Sequence, residues 1–443
     1  MEALEQYLKL ARENADSIRR NAPEVMNLRR DDALSALEQR GLPTRKVERY
    51  KYTSVKEAFA PNYGLDIDRR ICVPDPARVF GCNALGAGLI TVYVVNDRPF
   101  TDGLSLPEGL EITTLAAFAA AHPGEAQKYY HQAASKEYDG VTEVNTLLAT
   151  DALVIRVRAG FRIDKPVQVV NIAVAPVDVM ANRRVLVIME ERSEATLLFC
   201  DHSNGPGRSL TTQVAETYVG ESACLRLYNL EETGTLSTRF SNLYSEQQAG
   251  SHVAYGSVTL TCGLTRNMAD FHLLGEGATV VADGAVVADG KQRIDNNLLV
   301  DHAVGGCTSD LLYKYVLDGQ SVGAFAGRVL VRPGAQHTSS QQTNSNLCAS
   351  QGARAYTQPM LEIYADDVKC NHGSTVGMLD EAALFYMRQR GILEEEAKIL
   401  LQHAFINDVL QRIEIETLRE RLSHLVEMRF RGQLAFCREC RLK

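Results

Sequence analysis

A long series of short β-type segments between residues 150 and about 370 most limits what this chain can fold into. The segments recur roughly every 12 to 15 residues, and Gly, Asp-Gly and Pro-Gly turn signals separate them. They are ALVIRVR, VQVVNIAV, RVLVIME, ATLLFC, CLRLYNL, SHVAYGSVTLTC, ATVVADGAVVADG, LLYKYVLDG and GRVLVRPG. No helical pattern lies between them, which excludes a doubly wound α/β domain. An antiparallel sandwich and a β-helix remain. The length of the region, its many small residues and the lack of a strict repeat favour a β-helix of irregular coils.

The segment before this region has a mixed pattern. Apolar residues at helical spacing predict an amphipathic first helix, with Leu4, Tyr7, Leu8 and Ala11 on one face. A strand is predicted over residues 89–96. A helix is predicted over residues 114–123, where Pro123 would stop it.

The segment after Gly377 reads as helical. Two helix-friendly stretches, 379–391 and 393–413, are separated by a stop at Gly391, and ETLRERLSHLVEMRF continues the helical pattern. Their apolar residues are more than two isolated helices can hide: Leu384, Tyr386, Met387, Leu400, Leu401 and Phe405. We therefore expect this tail either to pack on the β region or to bind a partner.

Length and composition agree with a multidomain globular protein. A chain of 443 residues is too long for one ordinary core. We predict a mixed N-terminal region over 1–145, a β-helix core over 146–377 and a C-terminal helical region over 378–443. The fold class is mainly β, with helical regions on either side of the core.

Charge and motif content exclude several functions. The net charge of −8 gives no basic footprint for nucleic acid. No G-x-x-x-x-G-K-[ST] sequence is present, so the chain has no P-loop of its own for ATP phosphates. The start, MEALEQYLKLAREN, has neither a signal-peptide nor a transit-peptide pattern, and no apolar run approaches the roughly 20 residues of a membrane span. These features predict a cytoplasmic protein with mostly reduced cysteines.

Three short motifs carry weak functional signals. GQSVG (319–323) matches a nucleophile elbow, but a strand-like segment follows it where the elbow needs a helix, so Ser321 is predicted to be a turn residue. GAG (86–88) precedes a strand and lacks the third glycine of a dinucleotide loop. CREC (437–440) is half a zinc site, a redox pair or two exposed thiols, and its role stays open.

The stretch ADDVKCNHGSTVG (365–377) contains the candidate metal ligands. In an extended strand, Cys370 and His372 are two residues apart and point to the same face, whereas Asp367 does not share that parity across a turn. A thiolate and an imidazole suit iron or zinc. Two ligands are too few for a closed site, so a partner chain would supply the rest. The alternative is a buried cysteine beside a hydrogen-bonded histidine.

Several longer stretches resemble the family of SufB and SufD, the iron–sulfur cluster assembly subunits. They are GQSVGAFAGRVLV, AQHTSSQQTNSNLCAS, ARAYTQPMLEIYADDVKCNHGSTVG and LDEAALFYMRQRGI. GLPTRKVERYKYTSV (41–55) is similar to the family's G-x-P-x-(R/K)-x-E-x-(W/Y)-(K/R)-Y-T segment. The resemblance covers nearly the whole chain and is most specific over 290–405. The C-N-H-G-S-T-V-G form points to the SufD branch, because SufB has a glutamate where this chain has Gly373.

The resemblance implies a right-handed parallel β-helix flanked by an N-terminal and a C-terminal helical region. It also implies a complex with SufB and two copies of the ATPase SufC, in which SufC hydrolyses the nucleotide. The apolar C-terminal helices are then the expected SufC-binding surface. Within such a complex the chain is a non-catalytic scaffold subunit that contributes to iron acquisition, and no catalytic residue is predicted.

The resemblance also implies a site for the nascent cluster. In the family, a SufD histidine in this C-x-H stretch faces a SufB cysteine across the β-helix interface, and His372 is the matching position. Cys370 matches the pattern as well, with a less defined role. The expected cofactor is a transient iron–sulfur cluster shared with SufB, and a reduced flavin is a candidate cofactor of the complex. Two alternatives stay open, a self-associating homodimeric scaffold similar to SufB and a polysaccharide-active β-helix enzyme.

Overall fold

Two long sheets form the body of the computed structural model, which describes residues 3–64, 76–80 and 88–433. The ten-stranded sheet contains, in spatial order, β2 (Arg98–Phe100), β1 (Ile90–Val95), β5 (Val167–Val174), β7 (Glu194–Asn204), β9 (Cys224–Glu232), β11 (His252–Thr261), β13 (Thr279–Ala288), β15 (Thr308–Leu317), β17 (Ser339–Cys348) and β19 (Lys369–Gly377). The nine-stranded sheet contains β3 (Leu110–Thr114), β4 (Leu153–Val157), β6 (Val179–Met189), β8 (Ser209–Val219), β10 (Ser237–Gln247), β12 (Leu264–Leu273), β14 (Arg293–His302), β16 (Val322–Val331) and β18 (Arg354–Ile363).

From β4 onward, consecutive strands alternate between the two sheets, and neighbours within each sheet are parallel. Only β1 with β2 and β3 with β4 pair antiparallel in the described part of the chain. Each coil therefore adds one strand to each sheet, which gives a parallel β-solenoid of about 8 turns. This confirms the predicted β-helix and decides against the sandwich.

The interior of the solenoid is apolar over much of its length but contains buried charges. Side chains from both sheets form one core, for example Leu197, Phe271 and Val300. Among them, the Asp201 carboxylate accepts a hydrogen bond from Arg183 and forms an ion pair with Arg239, each with an N–O distance of 2.9 Å. A buried arginine needs such a partner because removing charge from water is costly.

The coils turn tightly at glycine. Gly319 has φ +62°, and a Cβ there would lie 2.8 Å from the backbone nitrogen of Gly290 in the preceding coil. A side chain at this position would be strained by its backbone conformation and would also clash with the neighbouring coil. Gly319 therefore sets the spacing of the coils at the turn before β16.

Most of the N-terminal helices cover the outer face of the nine-stranded sheet, whereas the short helix Pro76–Val79 contacts β1 of the ten-stranded sheet. They are α1 (Ala3–Glu13), α2 (Ala15–Arg20), α3 (Glu24–Arg40), a 3-10 turn (Glu48–Tyr50), α4 (Val55–Phe59), α5 (Pro76–Val79), α6 (Leu115–Ala121), α7 (Pro123–Tyr129) and α8 (Gly140–Leu148). Tyr7 and Phe59 pack in one cluster with Met180, Leu210 and Phe240 of the sheet. The predicted first helix is confirmed, as is the predicted strand, which is β1. The predicted helix ends before Pro123, which is the first residue of α7.

The family-like segment 41–55 crosses the outer face of the same sheet. Arg49 donates to the Asp270 carboxylate at 3.0 Å, and Thr53 donates to the Asp295 carboxylate at 2.6 Å. The Tyr52 ring stacks on Tyr356 of the edge strand β18, with ring centroids 4.8 Å apart. These contacts attach the segment to three coils of the solenoid, through β12, β14 and β18.

The C-terminal helices are α9 (Glu381–Gln389), α10 (Glu394–Leu410) and α11 (Glu416–Phe430). Ile406 and Leu410 of α10 and Leu422 of α11 pack on the outer face of the ten-stranded sheet. By contrast, α9 buries none of its residues. The tail therefore packs on the β region through its last two helices and leaves the first uncovered. None of the helices in the described residues is long and apolar enough to cross a membrane.

A buried histidine under the N-terminal helices predicts acid sensitivity. Arg184 donates to Nδ1 of His131 at 3.0 Å, and burial, assisted by Arg184, lowers the pKa of His131 to about 3. The unfolded chain takes up a proton below about pH 6.5, and the folded chain does not. Stability is therefore lost as pH falls through that window.

Because only the unfolded chain protonates His131 in this range, we expect the free energy of unfolding to fall by about 2 kcal/mol between about pH 7 and about pH 5. Burial also lowers the pKa of His302, so the contribution of His131 to the pH dependence of stability has to be isolated by substitution. His131 has φ +60°, a conformation that asparagine tolerates, so His131→Asn is a suitable variant. Urea unfolding of the parent and of His131→Asn at both pH values measures the difference. Between the two pH values, the free energy of unfolding of His131→Asn should fall by about 2 kcal/mol less than that of the parent. An equal pH dependence in both proteins would contradict the assignment.

Candidate functional site

Strand β19 forms one edge of the ten-stranded sheet at the last coil of the solenoid. It pairs with β17 in parallel, with Ser340 opposite Cys370 and Gln342 opposite His372. No strand in the described ranges pairs with the other edge of β19, or with the outer edge of β18 in the second sheet. The solenoid is therefore open at this end, and its backbone hydrogen-bonding groups are available for another strand.

Cys370 lies on the inward side of β19 and is half-buried. It packs beside an apolar cluster formed by Val329, Val331 and Ala335. Burial raises the pKa of the Cys370 thiol, and a hydrogen bond with the Ser340 backbone partly offsets that shift. In this surrounding the group is mainly a thiol, and a nearby metal ion would favour the thiolate.

His372 lies on the same side of β19 but is exposed, because no further coil in the described part of the chain covers it. Its Cα is about 7 Å from that of Cys370 in an extended strand. The structure thus brings the two predicted ligands to one side of one edge strand. A thiolate and an imidazole placed this way can bind one metal ion only together with donors from elsewhere.

Asp367 is separate from this pair. It lies in the turn before β19, where its carboxylate is 2.9 Å from Nδ1 of His337. Among the residues that the structure describes, no group of three or more His, Cys, Asp or Glu side chains could hold a metal ion. Within the described residues, the Cys370–His372 pair is therefore an incomplete ligand set.

Polar side chains fill the solenoid interior behind this pair. Nε2 of His302 is 2.9 Å from the Ser309 hydroxyl, which donates to the Ser340 hydroxyl at 2.7 Å. Gln342, behind His372, is fully buried. Sequence reasoning missed this layer. The signal was present in SSQQTNSN (339–346), which is polar at every position and nevertheless forms strand β17.

The other sequence motifs do not form a site in the described structure. Ser321 is fully buried in the turn before β16, and its segment leads into a strand, so GQSVG lacks the geometry of a nucleophile elbow. Most of GAG (86–88) and all of CREC (437–440) lie outside the described residues.

Family models match almost the whole chain. Residues 172–405 match the model described as "SUF system FeS cluster assembly, SufBD core domain", and residues 1–169 match "SufBD protein N-terminal region". The first match includes β19 and most of the solenoid.

Curated relatives agree with these models. The chain is 29% identical to the iron–sulfur cluster assembly protein SufD of Escherichia coli over 406 residues, which cover 90% of this chain and 92% of that protein. It is 28% identical to an iron–sulfur cluster assembly SufBD family protein of Synechocystis over 70% of each chain. It is 24% identical to SufD of Bacillus subtilis over 76% of this chain and 78% of the relative. The chain therefore belongs to the SufBD family of iron–sulfur cluster assembly proteins.

Proposed function

We propose that this chain is a non-catalytic scaffold subunit that pairs with SufB, binds the ATPase SufC and acts in the cytoplasm. One observation carries the proposal. Cys370 and His372 lie on one side of an edge strand that has no partner on its outer side in the described structure. A ligand pair at an open edge can be completed by a second chain that adds a strand there.

The surface around this edge supports an interface. Ile363, Tyr364, Val376 and Met378 are apolar and at least 40% exposed at the last coil. Exposed apolar side chains beside unpaired strand edges attract another strand unless a partner covers them. We infer that SufB covers this end of the solenoid in the complex.

Iron and sulfide are the substrates at such an interface. His372 would supply an imidazole nitrogen, and the partner chain would supply thiolate. Cys370 is less accessible to solvent than His372, so we assign it the smaller contribution to iron binding. Neither subunit alone should then hold a cluster well, because each has only part of the ligand set.

Co-purification tests the proposal. The chain, SufB and SufC are produced together, and iron and acid-labile sulfide are measured per assembled complex and per isolated chain. We expect both in the complex and little on the chain alone. Cys370→Ser should reduce both by less than His372→Ala does. A cluster held equally well by the isolated chain would contradict a shared site.

A homodimeric scaffold is the second candidate, because the same open edge could accept another copy of this chain. The molar mass of the isolated chain in solution distinguishes the two. A stable dimer that persists when SufB is added would favour self-association. A monomer that forms a complex with SufB would favour the heteromeric assembly.

The ATPase is expected to bind the exposed first helix of the tail. Phe385 and Leu393 are 61% and 79% exposed, on α9 and just before α10. If each is an interface anchor worth about 2 kcal/mol and the two are additive, Phe385→Ser with Leu393→Ser should weaken SufC binding by roughly 700-fold. Titration calorimetry measures this. Leu28→Ser, which changes a leucine on α3 that is 55% exposed, is the control for loss of a surface apolar side chain elsewhere. Unchanged affinity in the double variant would place the ATPase elsewhere.

Two further expectations stay predictions. One is the division into regions 1–145, 146–377 and 378–443. The other is a reduced flavin in the complex.

A further inference from the structure

The side chain of Gln342 is placed unusually for a buried amide. It is fully buried inside the solenoid, and its Nε2 donates to the Gly327 carbonyl oxygen of β16 at 3.1 Å. Its Oε1 is also buried, and no donor among the described residues bonds to it. Buried amide oxygens without a hydrogen-bond donor are rare in native proteins, so we expect a donor to bind this oxygen in the functional protein.

The direction of this amide is fixed by its surroundings. Turning it over would place Oε1 against the Gly327 carbonyl oxygen, two acceptors with no hydrogen between them. Gly327 also makes room for the amide, since a Cβ there would lie 2.3 Å from Nε2 of Gln342. The glycine and the glutamine therefore fit one another, and Oε1 points away from β16.

Two residues in the neighbouring strands of the sheet are paired with Gln342, and only one of them has a side chain that can donate a hydrogen bond. On one side lies Leu311, which is apolar, and on the other lies His372. Adjacent strands are about 4.8 Å apart, so side chains on the same face of paired residues are in contact. The amide of Asn344, two residues further along β17, donates to the Tyr313 carbonyl oxygen at 3.2 Å.

We propose that Gln342 is a positioning residue for His372, and that its Oε1 accepts the imidazole N–H. A neutral imidazole has one N–H and one nitrogen with a free lone pair. When the N–H is held by Gln342 inside the solenoid, the free nitrogen is directed to the open end. Ligating histidines in proteins are commonly oriented in this way by a second hydrogen bond. The inference deepens the proposed function and rests on it for its metal consequence.

The test reads the histidine tautomer on the isolated chain, without iron or partners. The chain is labelled with ¹⁵N-histidine, and the signal of His372 is identified by its loss in His372→Ala. We expect one tautomer in the parent chain and a mixture of both in Gln342→Met, which has similar size but no hydrogen-bonding atoms. Gln213→Met is the matched control, because Gln213 is also buried in the solenoid with an unpartnered Oε1.

Rescue separates positioning from general damage to the fold. Gln342→Glu should restore the single tautomer, because a buried, protonated carboxyl keeps both the acceptor and a donor to Gly327. If Gln342→Met does not fold, Gly327→Ala displaces the amide while keeping it, and should also give mixed tautomers. A tautomer mixture in the parent, or one unchanged tautomer in Gln342→Met, would overturn the proposal.

The metal consequence is measured separately. In the assembled complex, Gln342→Met should lower recovered iron and sulfide by about tenfold, as expected for loss of a hydrogen bond that orients a ligand. A fixed tautomer together with full iron in His372→Ala would refute the proposed function and leave the positioning role of Gln342 intact.

Discussion

Ser374→Pro is expected to prevent this chain from assembling with SufB while the chain itself stays folded. The N–H of Lys369 bonds to the Thr338 carbonyl oxygen of the neighbouring coil, and alternate residues along β19 face that coil in the same way. The N–H of Ser374 therefore faces the open side. Proline removes that donor and places a ring on the edge, and this is how natural edge strands avoid pairing.

The matched control for this variant is Ser374→Ala. It removes the hydroxyl but keeps the N–H, so it should assemble as the parent does. Size-exclusion chromatography with light scattering measures the complex, and thermal unfolding of the isolated variants confirms that both fold. Loss of assembly in the proline variant alone supports pairing through this edge. Normal assembly of Ser374→Pro would mean that SufB binds another surface.

Much of the fold could be predicted from the sequence, but about half of the strands could not. The recognised segments are those whose β-branched residues stand out, such as β5 and β16. The missed segments include β10 and β12, which carry polar as well as apolar residues on both faces. Asn242 on the outer face of β10 donates to Asp139 and Thr142 of the N-terminal region, while Arg239 on the inner face pairs with Asp201. Because partners bury both faces, no alternation of apolar and polar residues is left to detect.

One part of the candidate site could be predicted from the sequence and another part could not. The placement of Cys370 and His372 on one side follows from the two-residue period of a strand, and this is local information. The position of Gln342 beside His372 depends on the register between two strands that are separated by a whole coil. That register is set by packing and by turns such as the one at Gly319, so a single sequence does not reveal it.

The C-terminal tail shows a further limit. Its apolar residues predicted either packing or partner binding, and the structure divides them between the two. Ile406 and Leu422 are buried against the ten-stranded sheet, whereas Phe385 on α9 is exposed. Removing the whole tail would uncover the sheet as well as the proposed ATPase surface. Single substitutions on α9 therefore test partner binding more cleanly than truncation.

The second large effect is expected at His372 itself. Its side chain faces the open end and fills no core, so His372→Ala should fold and assemble as the parent does. The substitution removes an imidazole that can ligate iron and that no other described side chain nearby replaces. We expect iron and sulfide per assembled complex to fall by on the order of tenfold or more, the range seen when a ligand's surroundings are disrupted.

Iron and acid-labile sulfide per assembled complex are the most direct test of the account. Three complexes are compared at equal subunit stoichiometry, containing the parent chain, His372→Ala or Asn371→Ala. Asn371 is the exposed neighbour on the opposite face of β19 and serves as the control. The account predicts full iron and sulfide with the parent and with Asn371→Ala, and a large loss with His372→Ala. Full iron and sulfide in an assembled His372→Ala complex would contradict it.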